Sequence, residues 1–351
     1  MGDSNLKKLK CNKENLRILL VRNDKIGDLV LATPAIRALR ETYPKSYIAM
    51  LVSSYARDVV VGNPDLDEVI VEYEGKLSNF SQLLQEVRSR RFDVAIILFP
   101  FFRTALLAFL CGIPLRISTG FKFYQFLFNR LIYLRRSKGL KHEIDYNLDM
   151  VRLIGADTLN KKPCITVNRE DEEYVDRFLK EIGVKNNDIL IGLNPGSGFS
   201  ARKWREEYFA ELAVMFKQRL DAKVLILWGP GERVLAEKVL KLANGAAKLA
   251  FETKIKQLAA LMKRCNLIVT NNTGPMHIAV AVGAPMVELF DSKWACSPVR
   301  WGHHGNGNII LKPDIDCRKK CTLEECEHFD CMDMITVEMV FEASKKIFAG
   351  N

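Results

Sequence analysis

Apolar residues along this chain fall into short runs separated by amphipathic stretches. "RILLVR" (17–22) is such a run, followed by Asn-Asp and then by "IGDLVLATPAIRALRETY", whose apolar positions recur at helical spacing. "YIAMLV", "EVIVEY" and "DVAIILF" read as further strands, and "LSNFSQLLQEVRSRR" as the helix between the last two. Pro34 lies inside the first helical pattern and predicts a kink or the end of its first turn. The run from Val94 to Leu115 is broken by Arg103 and two prolines, which predicts a strand and a short helix rather than a membrane span.

The second half repeats the plan. "DILIGLNPGS" gives strand then turn, "REEYFAELAVMFKQRL" a helix, "KVLILWGPGE" strand then turn, and "RVLAEKVLKLA" and "IKQLAALMKRC" two more helices. Strands "NLIVT" and "PMVELF" flank the stretch "TNNTGPMHIAVAVGA". Strands apolar on both faces and separated by helices argue for parallel sheets covered by helices. The polar segment "TVNREDEEYVDRFLKEIGVKNND" marks the boundary and carries one helix of its own. The predicted fold class is therefore α/β, with two Rossmann-like doubly wound domains, residues 1–165 and 166–351, facing a cleft. A last helix at 336–349 is a candidate to pack back on the N-terminal domain. Ligands of open α/β sheets sit at the carboxyl ends of the strands, and the unusual motifs fall at those ends.

Composition narrows the classes. Length (351 residues), apolar fraction (48%) and charged fraction (27%) are those of a soluble globular chain with two ordinary cores. No signal-peptide pattern stands near the start, and nine cysteines in such a chain read as free thiols of a reducing cytoplasm. The net charge of +10 points to an acidic partner. Between Val94 and Lys141 there is no Asp or Glu but eight basic residues: Arg103, Arg116, Lys122, Arg130, Arg135, Arg136, Lys138 and Lys141. Aromatic residues are interleaved with them, as in "FKFYQFLFNRLIYLRR". Charge alone would also fit a nucleic-acid-binding module, but no motif of that class is present, and no nucleic-acid partner is expected.

Four motifs carry candidate chemistry. Asp28 stands in the first turn after the first strand, behind Gly27. An acid there ordinarily stabilises a helix N-terminus, yet Asn23 and Asp24 are already available for capping, so a further carboxylate is surplus to that need. The loop lacks G-x-G-x-x-G, which removes the dinucleotide fingerprint. "NPGSGFSARKW" supplies a flexible turn with Ser197, and Arg202 and Lys203 beside it, suited to a phosphate. "WGPGE" places Glu232 at a helix start. Asn272, Thr273, Gly274 and His277 gather at another helix start, where free N–H groups and the helix dipole favour an anion. Cys317, Cys321, Cys326 and Cys331 are spaced x3, x4, x4, a weak match to zinc knuckles, and no metal is expected.

In combination, "ILLVRNDKIGDLVLATPAIRAL", "NPGSGFSARKW", "TNNTGPMHIAVAVGAP" and the cysteine-rich segment before the last helix resemble glycosyltransferase family 9, the ADP-heptose:lipopolysaccharide heptosyltransferases. "HEIDYNLDMVRLIGAD" is similar to the family as well. The resemblance implies two Rossmann-like domains of GT-B type, the first for the acceptor and the second for the nucleotide sugar. It implies inversion at the sugar carbon without cofactor or catalytic metal. Carried over, the catalytic Asp is Asp28 beside Gly27. Arg202, where Lys is usual, neutralises the diphosphate with Lys203 nearby, after the hydroxyl-bearing turn at Ser197. Glu232 meets the ribose, and Asn272, Thr273, Gly274 and His277 meet the phosphates. Asn272 departs from the family's Asp and loses a charge.

The expected reaction is transfer of a heptose or related sugar, with ADP-heptose the expected donor, to a phosphorylated glycolipid acceptor of the lipopolysaccharide-core type. An epimerase of the same architecture is the alternative, as is a family 9 transferase for another sugar. The basic, aromatic stretch predicts a cytoplasmic enzyme peripheral on the inner face of the inner membrane, with Phe121, Phe123, Phe126 and Phe128 beside Lys122, Arg130, Arg135 and Arg136.

Overall fold

The structure, a computed structural model, describes residues 15–73, 77–198, 201–303, 307–315, 317 and 330–350. The chain divides into two compact units: Met1–Arg136 with Glu143–Thr166, and Ser137–His142 with Val167–Asn351.

The first unit runs β1 (Arg17–Val21), α1 (Ile26–Val30), α2 (Thr33–Thr42), β2 (Tyr47–Ser53), β3 (Glu68–Glu72), α3 (Leu77–Ser89), β4 (Val94–Ile97), α4 (Phe102–Leu110), β5 (Leu115–Thr119), β6 (Arg130–Ile132) and α5 (Glu143–Val151). Its six strands are parallel in the order β3-β2-β1-β4-β5-β6. Ile18, Leu19, Leu20 and Val21 are all buried, so β1 is covered on both faces, as a central parallel strand must be. The first helical pattern forms two helices instead of one. Pro34 sits in the first turn of α2, where its missing N–H breaks no helical bond, and the Thr33 hydroxyl donates to Val30 O at 2.7 Å across the break.

The second unit runs α6 (Arg169–Glu181), β7 (Leu190–Asn194), α7 (Glu206–Leu220), β8 (Lys223–Ile226), α8 (Arg233–Leu242), β9 (Lys248–Leu249), α9 (Ile255–Arg264), β10 (Leu267–Asn271), α10 (Gly274–Val282), β11 (Met286–Leu289), α11 (Pro298–Trp301), β12 (Asn308–Leu311) and α12 (Val337–Gly350). Helix α6 in the boundary segment starts at Asn168, whose side chain accepts from Asp171 N at 2.8 Å. The sheet order is β12-β11-β10-β7-β8-β9, again all parallel. Read from its other edge it repeats the first sheet's order, strand for strand. The winding direction therefore reverses between β1 and β4 in one unit and between β7 and β10 in the other. Helix α12 packs within the second unit, with Phe341 5.6 Å from Phe216 and Glu338 2.9 Å from Arg219.

The basic stretch folds differently from a uniformly solvated face. Arg103 pairs with Glu72 at 2.7 Å, Arg116 donates to Leu127 O at 2.8 Å and Ile113 O at 2.6 Å, and Arg136 lies 3.1 Å from Glu143. Those three cations serve the unit's own architecture. Phe128 is buried in the core with Leu127 and Tyr124, so it leaves the predicted aromatic surface, whereas Phe121, Phe123 and Phe126 are exposed. Phe128 stands two residues before the edge strand β6 and packs into the core cluster beneath the sheet.

Candidate functional site

In the first unit, the loop leaving β1 lies at the reversal of winding. Gly27 is buried and Asp28 stands in the first turn of α1, its side chain 13% exposed. The Arg22 guanidinium holds this carboxylate: Nη2 donates to Asp28 Oδ1, Nε to Asp24 Oδ1 at 2.6 Å, and Nη1 to Glu143 Oε1 at 3.1 Å and Asn147 Oδ1 at 3.0 Å. Arg22, Glu143 and Asn147 are all buried. Burial disfavours the Arg22 charge, but Asp24, Asp28 and Glu143 more than offset it and keep the group cationic well beyond its ordinary range. Asn147 Nδ2 donates in turn to Leu31 O at 3.1 Å, tying α5 to the end of α1. Asp28 is thus an oriented carboxylate, not only a helix stabiliser.

In the second unit, three adjacent strands, β8, β7 and β10, end in the three remaining motifs. The turn after β7 carries Gly196 and Ser197. A Cβ at Gly196 would overlap the Glu232 carboxylate, so glycine there lets the turn after β8 lie against the turn after β7. Glu232 Oε2 accepts from Gly229 N at 3.0 Å, which fixes the "WGPGE" turn. The Ser197 hydroxyl donates to Gly198 O at 3.1 Å and faces Ala201 O at 3.4 Å.

Asn271, at the end of β10, joins the motifs. Its Nδ2 donates to Pro195 O at 3.0 Å and its Oδ1 accepts from Trp204 N at 2.9 Å. Trp204 is fully buried, with Nε1 donating to Ile335 O at 2.7 Å. Asp291, beyond β11, accepts from Arg202 N at 2.6 Å, and burial raises its carboxyl above the ordinary range. These contacts pin the backbone on both sides of Arg202, whose Nη1 lies 3.9 Å from Asp330. Lys203 reaches outward to Glu206 and is half exposed.

Helix α10 starts at Thr273, in extended conformation, with Gly274 first and Pro275 inside the first turn; Pro275 supplies no N–H. Gly283, at φ 73°, ends it in the left-handed conformation. Asn272 Nδ2 donates to Cys296 O at 3.0 Å, a bond that the family's Asp, as an ionised acceptor, cannot make. His277 is buried beneath the helix start, its ring 6.0 Å from Trp301. The anion-receptive surface of this motif is therefore its backbone and the small side chains of Thr273 and Gly274, more than the imidazole.

The structure groups Ser197, Arg202, Glu232, Asn272, Thr273 and Gly274 at one end of the second sheet. Sequence reading passed over Arg22, Glu143, Asn147, Asn271 and Asp291. A charged residue closing an otherwise apolar strand, as Arg22 does, was the available signal. Cys331 is buried and Cys317 partly buried; Cys321 and Cys326 lie outside the described residues, and among the described residues no metal-binding cluster occurs.

Each unit is thus a doubly wound parallel sheet with its unusual residues at the carboxyl ends of the strands, where open α/β sheets take their ligands. The family model described as glycosyltransferase family 9 (heptosyltransferase) matches residues 80–328, and the chain belongs to that family. A putative glycosyltransferase of Haemophilus influenzae is 31% identical over 297 residues, covering 81% of this chain and 85% of that protein. Lipopolysaccharide heptosyltransferase 2 of Escherichia coli is 26% identical over 293 residues, covering 78% and 82%. The crystal structure of a family 9 glycosyl transferase from Veillonella parvula superposes with a TM-score of 0.86 at 26% identity, covering 96% of this chain and 98% of that one.

Proposed function

We propose that this glycosyltransferase moves a heptose from ADP-heptose to a phosphorylated lipopolysaccharide-core-type glycolipid, with inversion, at the inner face of the inner membrane. The family membership and the heptosyltransferase relative support the sugar and the acceptor class. The observation that carries the mechanism is the Asp28 carboxylate, turned by a buried guanidinium at the carboxyl end of β1 and still reached by solvent.

In one displacement, the acceptor hydroxyl oxygen attacks the anomeric carbon while the bond to the diphosphate oxygen breaks. Asp28 takes the hydroxyl proton, and ADP leaves with the bonding pair. Such general-base assistance contributes about 10² to 10⁴-fold. Arg202 and the start of α10 stabilise the charge that grows on the leaving phosphate, with Glu232 on the ribose, Ser197, Lys203, Asn272, Thr273 and Gly274 lining the nucleotide, and His277 behind them supporting the helix start. No metal takes part in this scheme, because guanidinium and helix N-terminus supply the positive charge.

The test is Asp28→Asn. Turnover should fall by at least 10²-fold, while the thermal shift produced by ADP stays that of the wild type. Near-normal turnover removes Asp28 from the role of base. Absence of any thermal shift of the wild type with ADP, against a shift with UDP or GDP, replaces the donor.

A further inference from the structure

The carboxyl edge of the first sheet holds polar atoms that find no hydrogen-bond partner among the described residues. Asn23 follows β1, Glu72 ends β3, and Arg103 stands in the first turn of α4. They form a chain: Asn23 Nδ2 donates to Glu72 Oε2 at 2.5 Å and Arg103 Nε to Glu72 Oε1 at 2.7 Å. Both oxygens of the buried Glu72 carboxylate are thereby used. At the two ends of the chain, Asn23 Oδ1 and Arg103 Nη2 are buried and have no hydrogen-bond partner among the described residues, the Arg103 guanidinium lying 4.8 Å over the Phe80 ring. The same holds for Ser53 Oγ at the end of β2, Thr119 Oγ1 at the end of β5, and Gln125 Oε1 just beyond β5. Ser53 is only 4% exposed. A buried polar atom without a hydrogen bond carries its desolvation penalty with nothing in return, and native structures hold few of them. Here five lie on segments that leave one edge of one sheet, the edge that also carries Asp28.

Their chemistry selects a ligand. The guanidinium of Arg103 is neutralised by Glu72, so the chain has no net charge to offer a phosphate. An ionised phosphate would also find the acceptor Asn23 Oδ1, to which it has no proton to donate. A sugar hydroxyl donates one hydrogen bond and accepts others, and so suits Asn23 Oδ1 and Arg103 Nη2 alike.

We infer that the edge formed by Asn23, Ser53, Arg103 and Thr119 binds neutral hydroxyls of the acceptor's sugar rings, and that the acceptor's phosphates are held elsewhere. The inference rests on the transferase reading above. Arg103, paired with Glu72 at 2.7 Å, is then a hydroxyl donor held in place by that carboxylate.

Ser53→Ala and Thr119→Val test it, because each removes only an atom the fold does not use. If these hydroxyls serve a ligand, both variants should melt at or above the wild-type temperature yet bind the acceptor sugar less well. The probe is lipid-free core oligosaccharide, titrated calorimetrically with and without its phosphates removed, with ADP as a separate titrant. Each variant should weaken binding of both oligosaccharides by roughly three- to ten-fold and leave ADP affinity unchanged. Unchanged oligosaccharide affinity in both variants overturns the inference, as does a loss confined to the phosphorylated probe. A wild type that binds ADP but neither oligosaccharide also overturns it and leaves the nucleotide-sugar reading standing. A wild type that binds the oligosaccharides with these losses, but not ADP, supports the site and sinks the donor assignment instead.

Discussion

Glu288 stands in the middle of β11, completely buried, with His303 N donating to its Oε2 at 3.2 Å. Burial pushes its carboxyl from 4.5 up to about 7. Below about pH 4.5 the group is protonated whether the chain is folded or not. Between there and about pH 7 the folded chain keeps a proton that the unfolded chain releases, so stability falls as pH rises, and the whole penalty is in force above pH 7. Glu288→Gln, which keeps an acceptor for His303, should therefore unfold on the order of 3 kcal/mol later than wild type at pH 8 and no later at pH 4.5. Urea titrations at the two pH values decide it, and an equal difference at both would show that charge is not the cause. Single residues of this kind were hard to read in advance. Glu288 sits in "PMVELF" with nothing to mark it as buried. Asp28 was visible because its role shows in its place after a strand and a glycine, whereas its partners Glu143 and Asn147 belong to a helix 121 and 125 positions from Arg22.

At the scale of elements, hydrophobic periodicity reached the central strands and most helices but missed β5, β6, β9 and β12. β5 carries Arg116 in mid-strand, β6 and β9 have three and two residues, and β12 follows a stretch of glycines and histidines, so none shows a clean period. The edges of a parallel sheet are fixed by pairing with a neighbour already in place, which a local pattern does not record. The nucleotide-side turns were legible as separate motifs, yet their fastening was not. Asn271 was passed over beside the more conspicuous Asn272, although it bonds the turn after β7 and the backbone of Trp204. Asn271→Ala leaves Trp204 N and Pro195 O buried without that partner and should destabilise the chain by about 1–3 kcal/mol. The same variant should weaken ADP binding, since Arg202 sits two residues before Trp204. A chain that loses stability while binding ADP as wild type does would confine Asn271 to the fold.

For the molecule as a whole, composition foresaw a basic face, and folding has reduced it. With Arg103, Arg116 and Arg136 engaged internally, and the exposed Lys138 and Lys141 belonging to the second unit, the exposed part in the first unit is Lys122 and Arg135 with the partly exposed Arg130, beside Phe123 and Phe126, which are 82% and 71% exposed. Phe123 stacks on Phe102 at 6.1 Å, and Phe121 meets Tyr133 edge-on at 5.3 Å, so the aromatics form a cluster rather than scattered rings. Among the described residues no helix is long and apolar enough to cross a membrane. A peripheral contact through this cluster predicts co-sedimentation with phosphatidylglycerol vesicles at low salt. At about 1 kcal/mol for each basic residue, reversing Lys122, Arg130 and Arg135 to Glu should abolish it and leave ADP binding intact. A wild type that stays in the supernatant ends the idea of a membrane-docked enzyme.

The buried Arg22 has a further consequence, which concerns the order in which the chain is made. Its Nη1 hydrogens bond only to Glu143 and Asn147 among the described residues, and both emerge from the ribosome after Ile132, the last residue of the first sheet. At about 5–20 residues per second, all six strands are present roughly a second before their central guanidinium can be completed. The nascent sheet thus waits for a helix it does not yet contain, and a chain released at the end of β6 would own every strand of its first domain and still lack the residues that lock it.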